Sequence, residues 1–223
     1  TAVFNMLSGY SEPKSWNKLV VAPIWMRNRF LHLIEMERER ALEGKEARII
    51  AKMNSLCDRD IIAALYAASA AGVKIDLIIR GICCLKVGIP GISDNITVRS
   101  IVGNFLEHSR IFYFYSDGRE QIFMGSADWM PRNLDKRVEI VFPVEDEEIK
   151  EEVKHILEIQ LADNVKAHVL KPDGTYEKID KRGKQLVNSQ EYFCVEATKR
   201  GASPVNPVRD RIFIPAEAPD EEV

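Results

Sequence analysis

Residues 46–80 constrain the fold more than any other part of the chain. Apolar and polar side chains alternate over residues 46–54, a pattern typical of a strand. Asp58 can cap a helix over residues 60–71, which Gly72 ends in a left-handed cap position. Residues 73–80 are mostly apolar, as in a strand buried inside a sheet. Strand, helix and strand with short links predict a right-handed βαβ unit.

The rest of the chain adds helices and antiparallel hairpins to this unit. Helices are predicted over residues 23–42 and 146–161. The two strands of a hairpin are predicted over residues 109–115 and 121–124, and a further strand over residues 137–141. A small last hairpin is predicted around Pro172-Asp173-Gly174. A long loop over residues 81–95 interrupts the pattern, and loops of that length tend to be functional. The elements predict the α/β (α+β) class, a mixed β-sheet with helices on both faces.

The charge balance argues against a partner with many negative charges. The chain carries 31 basic and 34 acidic residues, a formal net charge of −3, so nucleic acid is not expected as a partner. Acidic residues concentrate at 145–152 and 217–222. A basic segment, residues 171–200, is either a solvated loop or a surface for an anionic ligand.

The cysteines and the start of the chain bear on the cellular compartment of the protein. Cys57, Cys83, Cys84 and Cys194 lack metal-ligand spacing, so all four are expected to be reduced, as in the cytosol. No apolar run is long enough to span a membrane. The chain opens without a methionine, a basic start or a cleavage site. We therefore expect a fragment of a longer cytoplasmic protein, with peripheral association with a membrane left open.

The first motif suited to phosphate chemistry contains His108 and Arg110. Both are expected at the entrance to the strand over residues 109–115, and side chains two apart on a strand point to the same side. Imidazole exchanges a proton near neutral pH, and guanidinium binds phosphate oxygens in a bidentate manner. The pair is a candidate for phosphoryl transfer. The alternative is a histidine bonded to a loop and an arginine paired with an acid.

The second motif, Gly125-Ser126-Ala127-Asp128, follows the returning strand of the same hairpin. Glycine permits close backbone approach, while serine and aspartate can orient a histidine or a phosphate. A plain turn is the alternative. Because the hairpin brings the two motifs together, we expect His108 and Ser126 to be neighbours.

The order of these motifs resembles the phospholipase D superfamily, in which H-x-K is followed by G-S-x-N. Two such motifs, one from each of two repeats, meet across a shared cleft in that superfamily. Here Arg110 replaces the lysine, Asp128 replaces the asparagine, and the motif occurs once.

Longer stretches resemble the larger bacterial polyphosphate kinase family (type 1) from about residue 3 to residue 200. They include Gly9-Tyr10-Ser11, Lys52-Met53-Asn54-Ser55-Leu56, Ile79-Arg80-Gly81-Ile82-Cys83, Gly91-Ile92-Ser93-Asp94-Asn95-Ile96, Phe105-Leu106-Glu107-His108-Ser109-Arg110 and Ser126-Ala127-Asp128-Trp129-Met130-Pro131-Arg132-Asn133-Leu134. The resemblance implies the C-terminal phospholipase-D-like domain of that family over residues 23–200. A linker or strand from the preceding domain is expected over residues 1–22, and a weakly ordered acidic tail over residues 201–223.

The resemblance also implies roles for individual residues. Arg80 is expected to contact ATP phosphates, and His108 to lie at the nucleotide as the catalytic residue, moving a proton. Further residues are expected to line the site: Lys52, Asn54, Arg110, Ser126, Asp128 and Arg132. No metal ligand is assigned in this chain.

The family reversibly transfers the γ-phosphate of ATP to polyphosphate through a phosphohistidine in an H-A-K motif, which this chain lacks. The implied substrates are ATP, ADP and polyphosphate, with Mg²⁺ held by residues outside the chain. The implied partners are the preceding domains and, in the full enzyme, further copies in a homo-oligomer. The chain alone is expected to be inactive. Two alternatives are a phospholipase-D-class phosphodiesterase or nuclease with His108 as nucleophile, and a non-catalytic assembly module.

Overall fold

The structure is a computed structural model, and it describes residues 2–10 and 16–202. The helices are α1 (Ala2–Leu7), α2 (Met26–Leu42), α3 (Arg59–Ala70), α4 (Glu147–Ala162) and α5 (Ser189–Ala202). The strands are β1 (Val20–Val21), β2 (Arg48–Met53), β3 (Lys74–Ile79), β4 (Ile96–Ile101), β5 (Arg110–Phe114), β6 (Gln121–Gly125), β7 (Ile140–Pro143), β8 (Ala167–Leu170) and β9 (Tyr176–Lys178).

The described strands form one mixed sheet in the order β1-β7-β6-β5-β2-β3-β4-β8-β9. Strands β2, β3 and β4 are parallel, and every other neighbouring pair is antiparallel. The predicted parallel pair and the predicted β5–β6 hairpin are both confirmed. The carboxyl ends of β2 and β3 therefore lie at the same edge of the sheet as the start of β5 and the end of β6.

Helix α3, which links β2 to β3, begins and ends where its sequence indicates. The Asp58 side chain accepts a hydrogen bond from the backbone N–H of Ile61 at 3.1 Å, which satisfies a free donor of the first turn. Gly72 follows the helix with φ of +106°, in the region of backbone space that favours glycine. The short, well-defined link leads directly into β3.

Strand β2 is buried on both faces, which corrects the alternating pattern expected from its sequence. Ile50 is 5% exposed and Lys52 is 2% exposed, although both were placed on the polar side. The central strands of a sheet covered on both faces have no solvent-exposed side. The buried ammonium group of Lys52 therefore needs hydrogen-bond or ion-pair partners within the protein.

Helices pack on both faces of the sheet, as predicted. One core cluster joins Phe30 and Ile34 of α2 and Leu65 of α3 to the first face of the sheet. A second cluster joins Val153 and Leu157 of α4 to the opposite face. The sheet is therefore held between α2 and α3 on one side and α4 on the other.

Several element boundaries differ from those expected. Helix α2 begins at Met26 rather than at residue 23, and β7 begins at Ile140 rather than at residue 137. A short helix and a short strand, α1 and β1, lie where a linker or strand is predicted over residues 1–22. Helix α5 was not predicted, because its apolar residues follow no clear helical period. Residues 203–223, most of the predicted tail, lie outside the described residues.

Contacts divide the chain into a unit of Thr1–Gln190 and a unit of Glu191–Val223. The first unit contains the whole sheet and helices α1 to α4, together with the first two residues of α5. In the second unit, the described residues continue helix α5 to Ala202. All the predicted site residues belong to the first unit.

Candidate active site

A chain of hydrogen bonds runs across the edge of the sheet where β2, β3, β5 and β6 meet. Arg80 Nε donates to Asn54 Oδ1 at 3.0 Å, and Arg80 Nη2 donates to the same oxygen. The backbone N–H of Asn54 donates to Asp128 Oδ1 at 2.8 Å. Arg110 Nε donates to that carboxylate oxygen at 3.0 Å. Four of the predicted site residues, from four separate segments, are thus brought together.

The guanidinium of Arg80 has no carboxylate partner among the described residues. Within residues 2–10 and 16–202, it forms no ion pair, and its Nη1 is buried without a hydrogen-bond partner. The side-chain amide of Asn54 supplies an oxygen but no charge, so it orients the guanidinium without neutralising it. This differs from the ordinary strand-end arginine, which pairs with an acid. The arrangement suits an anionic ligand.

The two departures from the phospholipase D motif pair with each other. Arg110 stands in the lysine position and Asp128 in the asparagine position, and their side chains form an ion pair at 3.0 Å. The two side chains are 11% and 6% exposed, so water screens the pair only weakly. Arg110 Nη1 also donates to the backbone oxygen of His108 at 2.6 Å. Arg110 therefore holds the backbone of His108 in place, and Asp128 balances its positive charge.

Lys52 holds both neighbours of His108 in the chain. Its Nζ lies 3.1 Å from Glu107 Oε2 and donates to Ser109 Oγ at 2.7 Å. Glu107 accepts two further hydrogen bonds, from Gln160 Nε2 at 2.7 Å and from Gln190 Nε2 at 2.8 Å. The segment that carries His108 is therefore anchored on both sides to buried groups.

Lys52, one of the predicted lining residues, is buried beneath the His108 segment. Its side chain is 2% exposed and lies on the face of the sheet covered by α4. Burial lowers the pKa of Lys52, and the nearby Glu107 carboxylate opposes that shift. The lysine acts from beneath the His108 segment rather than from the surface.

His108 lies two residues before β5 begins, at the entrance to that strand. Its side chain is exposed, and its imidazole has no hydrogen-bond partner among the described residues. The other three histidines lie away from the sheet edge: His32 is exposed on α2, His155 is on α4, and His168 Nδ1 lies 3.0 Å from the backbone oxygen of Lys166. An exposed imidazole beside anchored neighbours can meet a ligand.

Ser126 bonds to a carboxylate that the sequence reading missed. Its Oγ donates to Glu139 Oε2, and Asn133 Nδ2 donates to the other oxygen of Glu139. Glu139 is 8% exposed. The β5–β6 hairpin brings Ser126 close to the His108 segment, as predicted, but the hydroxyl of Ser126 is bonded to Glu139.

The glycine of the second motif permits a close backbone approach. A Cβ atom built on Gly125 would lie 2.3 Å from the backbone oxygen of Ile140. Arg132, by contrast, is exposed at the start of a π-helical turn over Arg132–Lys136, and the structure does not join it to the hydrogen-bond chain.

The residues that the sequence reading missed bond either to predicted site residues or to Glu107. They are Glu107, Ser109, Glu139, Gln160 and Gln190. Glu107 and Ser109 flank His108, and that adjacency was the one signal in the sequence that pointed to them. The other three are distant along the chain, and no local pattern marks them.

An open cavity of about 700 Å³ lies beside the hydrogen-bond chain. Its polar lining includes Ser109, Arg110 and Ser126, and the rest is apolar. Among the described residues, no group of three or more His, Cys, Asp or Glu side chains is arranged to hold a metal ion. No helix in the described part of the chain is long and apolar enough to cross a membrane.

Comparisons with known proteins agree with this geometry. The sequence model of the family described as "Polyphosphate kinase C-terminal domain 2" matches residues 19–190. A polyphosphate kinase of Synechocystis sp. is 54% identical over 198 residues, which are 88% of this chain and 27% of that protein. A polyphosphate kinase of Lactiplantibacillus plantarum is 48% identical over 224 residues, 99% of this chain and 31% of that protein.

One solved structure gives the same result. The crystal structure of polyphosphate kinase from Porphyromonas gingivalis aligns with a TM-score of 0.84 at 40% identity, covering 89% of this chain and 31% of that one. A weaker similarity, with a TM-score of 0.49 at 16% identity, is to Nuc of Salmonella typhimurium, a phospholipase D family member. The chain thus spans about 30% of the length of the polyphosphate kinases that it matches.

Proposed function

Because the chain belongs to the polyphosphate kinase family, through its C-terminal domain, we propose that it supplies nucleotide-binding residues to a polyphosphate kinase. The reaction is the reversible transfer of the γ-phosphate of ATP to polyphosphate, through a phosphohistidine outside this chain. The domain extends from about residue 23 to residue 200. It works together with the preceding domains of the same protein.

The main support for the proposal is the position of Arg80 and the hydrogen bonding of its guanidinium. Arg80 lies at the carboxyl end of a parallel strand, the usual place for a ligand-binding group in an open α/β sheet. Asn54 fixes its orientation, and Nη1 remains unpartnered among the described residues. A guanidinium with free donors and an uncompensated charge matches a phosphate group in both charge and shape.

His108 supplies the second part of the proposed site. Its exposed imidazole is placed by Lys52, through Glu107 and Ser109, and by Arg110, through the backbone oxygen of His108. As ATP transfers its γ-phosphate, negative charge grows on the leaving oxygen of ADP. A protonated imidazole there donates its proton to that oxygen, and in the reverse reaction the neutral imidazole takes the same proton back.

The phosphodiesterase alternative is disfavoured by the Arg110–Asp128 pair. A phospholipase-D-type site needs a free cation next to the histidine to bind the phosphate of the substrate. Asp128 neutralises the one cation in that position.

Further parts of the proposal concern the whole enzyme. ATP, ADP and polyphosphate are its substrates, and Mg²⁺ is held by residues outside this chain. The enzyme is a homo-oligomer in the cytoplasm and does not bind nucleic acid.

The test is a pair of substitutions at Arg80 in the full-length enzyme. Arg80→Lys keeps the charge but loses the planar fork, and Arg80→Ala loses both. We expect each to lower ATP affinity or turnover roughly tenfold to a hundredfold, since hydrogen bonds to charged groups are worth about 1.5–3 kcal/mol. Arg38→Lys, on the surface of α2, is the matched control and should change neither.

Turnover and ATP affinity are measured for all variants, together with thermal unfolding. Wild-type turnover and affinity in Arg80→Lys would remove Arg80 from the nucleotide site. A drop in melting temperature with unchanged ATP handling in Arg80→Ala would make the residue structural.

A further inference from the structure

Three cysteines follow the carboxyl ends of two parallel strands, next to the site. Leu56 and Cys83 are bridge partners in parallel register, and the backbone N–H of Cys84 donates to the oxygen of Leu56 at 2.8 Å. Cys57 and Cys84 are therefore the next pair along the same register. Paired positions on adjacent strands lie about 4.8 Å apart, within the Cα separation of about 4.4–6.8 Å that a disulfide requires.

The side chains of this pair lie on the same face of the paired backbone, away from the core. Successive residues on extended backbone alternate between faces, so the core-facing Leu56 and Cys83 leave Cys57 and Cys84 on the other side. The Cys84 thiol lies close enough to Cys57 to influence its ionisation. Cys84 is exposed and Cys57 half-buried, so one thiol is open to reagents and the other lies directly behind it.

We infer that Cys57 and Cys84 form a redox-active thiol pair that a hydroperoxide converts reversibly to a disulfide. The Cys84 thiolate attacks the O–O bond of the hydroperoxide, which gives a sulfenic acid on Cys84 and releases the alcohol or water. The Cys57 sulfur then attacks that sulfenic sulfur and forms the S–S bond, while its proton leaves with the hydroxyl as water. Two thiols are oxidised for each peroxide reduced.

The environments of the thiols fit this order of events. Burial, followed by the neighbouring Cys84 thiol, raises the pKa of Cys57 to about 11, so Cys57 stays a thiol at neutral pH and reacts second. Cys83 is excluded as the partner, because its Sγ contacts the backbone oxygen of Leu85 at 3.7 Å and it packs against the core.

The disulfide would tie together the two turns that carry the proposed nucleotide contacts. Cys57 lies three residues after Asn54, and Cys84 lies four residues after Arg80. Drawing the two sulfurs into a covalent bond shifts both turns, and with them the contact between Asn54 and Arg80. This consequence rests on the proposed function, whereas disulfide formation itself does not.

The experiment treats the full-length enzyme with hydrogen peroxide, blocks free thiols, and maps peptides by mass spectrometry before and after dithiothreitol. We expect a linked peptide pair containing Cys57 and Cys84, which dithiothreitol separates. Cys83→Ser is the matched control and should still form the link, while Cys57→Ser and Cys84→Ser should not. Absence of the link in the wild-type enzyme, or a link that involves Cys83, would overturn the inference.

A second measurement tests the consequence for catalysis. Peroxide should lower ATP-dependent turnover of the wild-type and Cys83→Ser enzymes, and dithiothreitol should restore it, while Cys57→Ser should be insensitive. A linked peptide without any change in turnover would refute the effect on the site but not the thiol pair. Loss of ATP binding in Arg80→Ala tests the proposed function separately.

Discussion

Replacing Lys52 with methionine removes the charge that lies beneath the His108 segment while keeping most of the side-chain volume. Lys52 is 2% exposed and forms an ion pair with Glu107 at 3.1 Å. The substitution leaves the Glu107 carboxylate, 14% exposed, with hydrogen bonds from Gln160 and Gln190 but no opposite charge. It also removes the donor to Ser109 Oγ.

The expected cost follows from this geometry. Breaking a buried ion pair on one side typically costs about 3–5 kcal/mol. Because Glu107 keeps two amide donors, we expect Lys52→Met to fall near the lower end, at about 3 kcal/mol of unfolding free energy. The double variant Lys52→Met with Glu107→Gln removes both charges and should recover most of that loss. Turnover should stay low in the double variant, because Ser109 still lacks its donor.

The assay is urea unfolding followed by circular dichroism, with turnover measured on the same full-length proteins. Lys45→Met, which removes an exposed lysine paired with Glu43, is the control and should change stability by less than about 0.5 kcal/mol. A loss below about 1 kcal/mol in Lys52→Met would refute the proposed role of the Lys52–Glu107 ion pair, because a buried charge would then be left unpaired at little cost. So would a double variant no more stable than the single one.

Three further predictions concern other parts of the fold. Gly125→Ala should lower stability and turnover together, because its Cβ would lie 2.3 Å from the Ile140 backbone oxygen; unchanged melting and activity would contradict this. Burial opposes ionisation of Asp163, but hydrogen bonds from Ser189 and from backbone N–H groups outweigh it and hold its pKa below the usual range. Ionised Asp163 should therefore stabilise the fold fully above the pKa of the unfolded state, and this stabilisation should fade as pH falls through the folded-state pKa. If Asp163→Asn showed the same dependence of stability on pH as the wild type, this prediction would be refuted. Asp58→Ala should cost about 0.5–2 kcal/mol for loss of the cap alone, measured by urea unfolding; a cost near zero would contradict the cap.

The elements that the sequence predicted correctly are those whose signal is local. The Asp58 cap and the apolar strand before Arg80 lie within a few residues of the features that define them. The β5–β6 hairpin is marked by its Asp117-Gly118 turn in the same way. Local patterns therefore defined the centre of the sheet.

The parts that the sequence did not predict depend on distant partners. The alternating sequence of β2 is typical of a strand with one face exposed to solvent. Lys52 is buried because α4 covers that face of the sheet. Arg110 and Asp128 were read as two separate departures from a motif, although they compensate each other as an ion pair. A single sequence carries no signal for such pairs, because the two residues meet only after the hairpin has formed.

The central claim is that this chain binds the nucleotide but does not carry the phosphorylated histidine. The most direct measurement incubates the full-length enzyme with γ-labelled ATP and maps the acid-labile, base-stable label to a peptide. The account predicts label on a histidine outside this chain, and label retained there in His108→Gln at a lower rate of formation. Label on a peptide that contains His32, His108, His155 or His168 would contradict it.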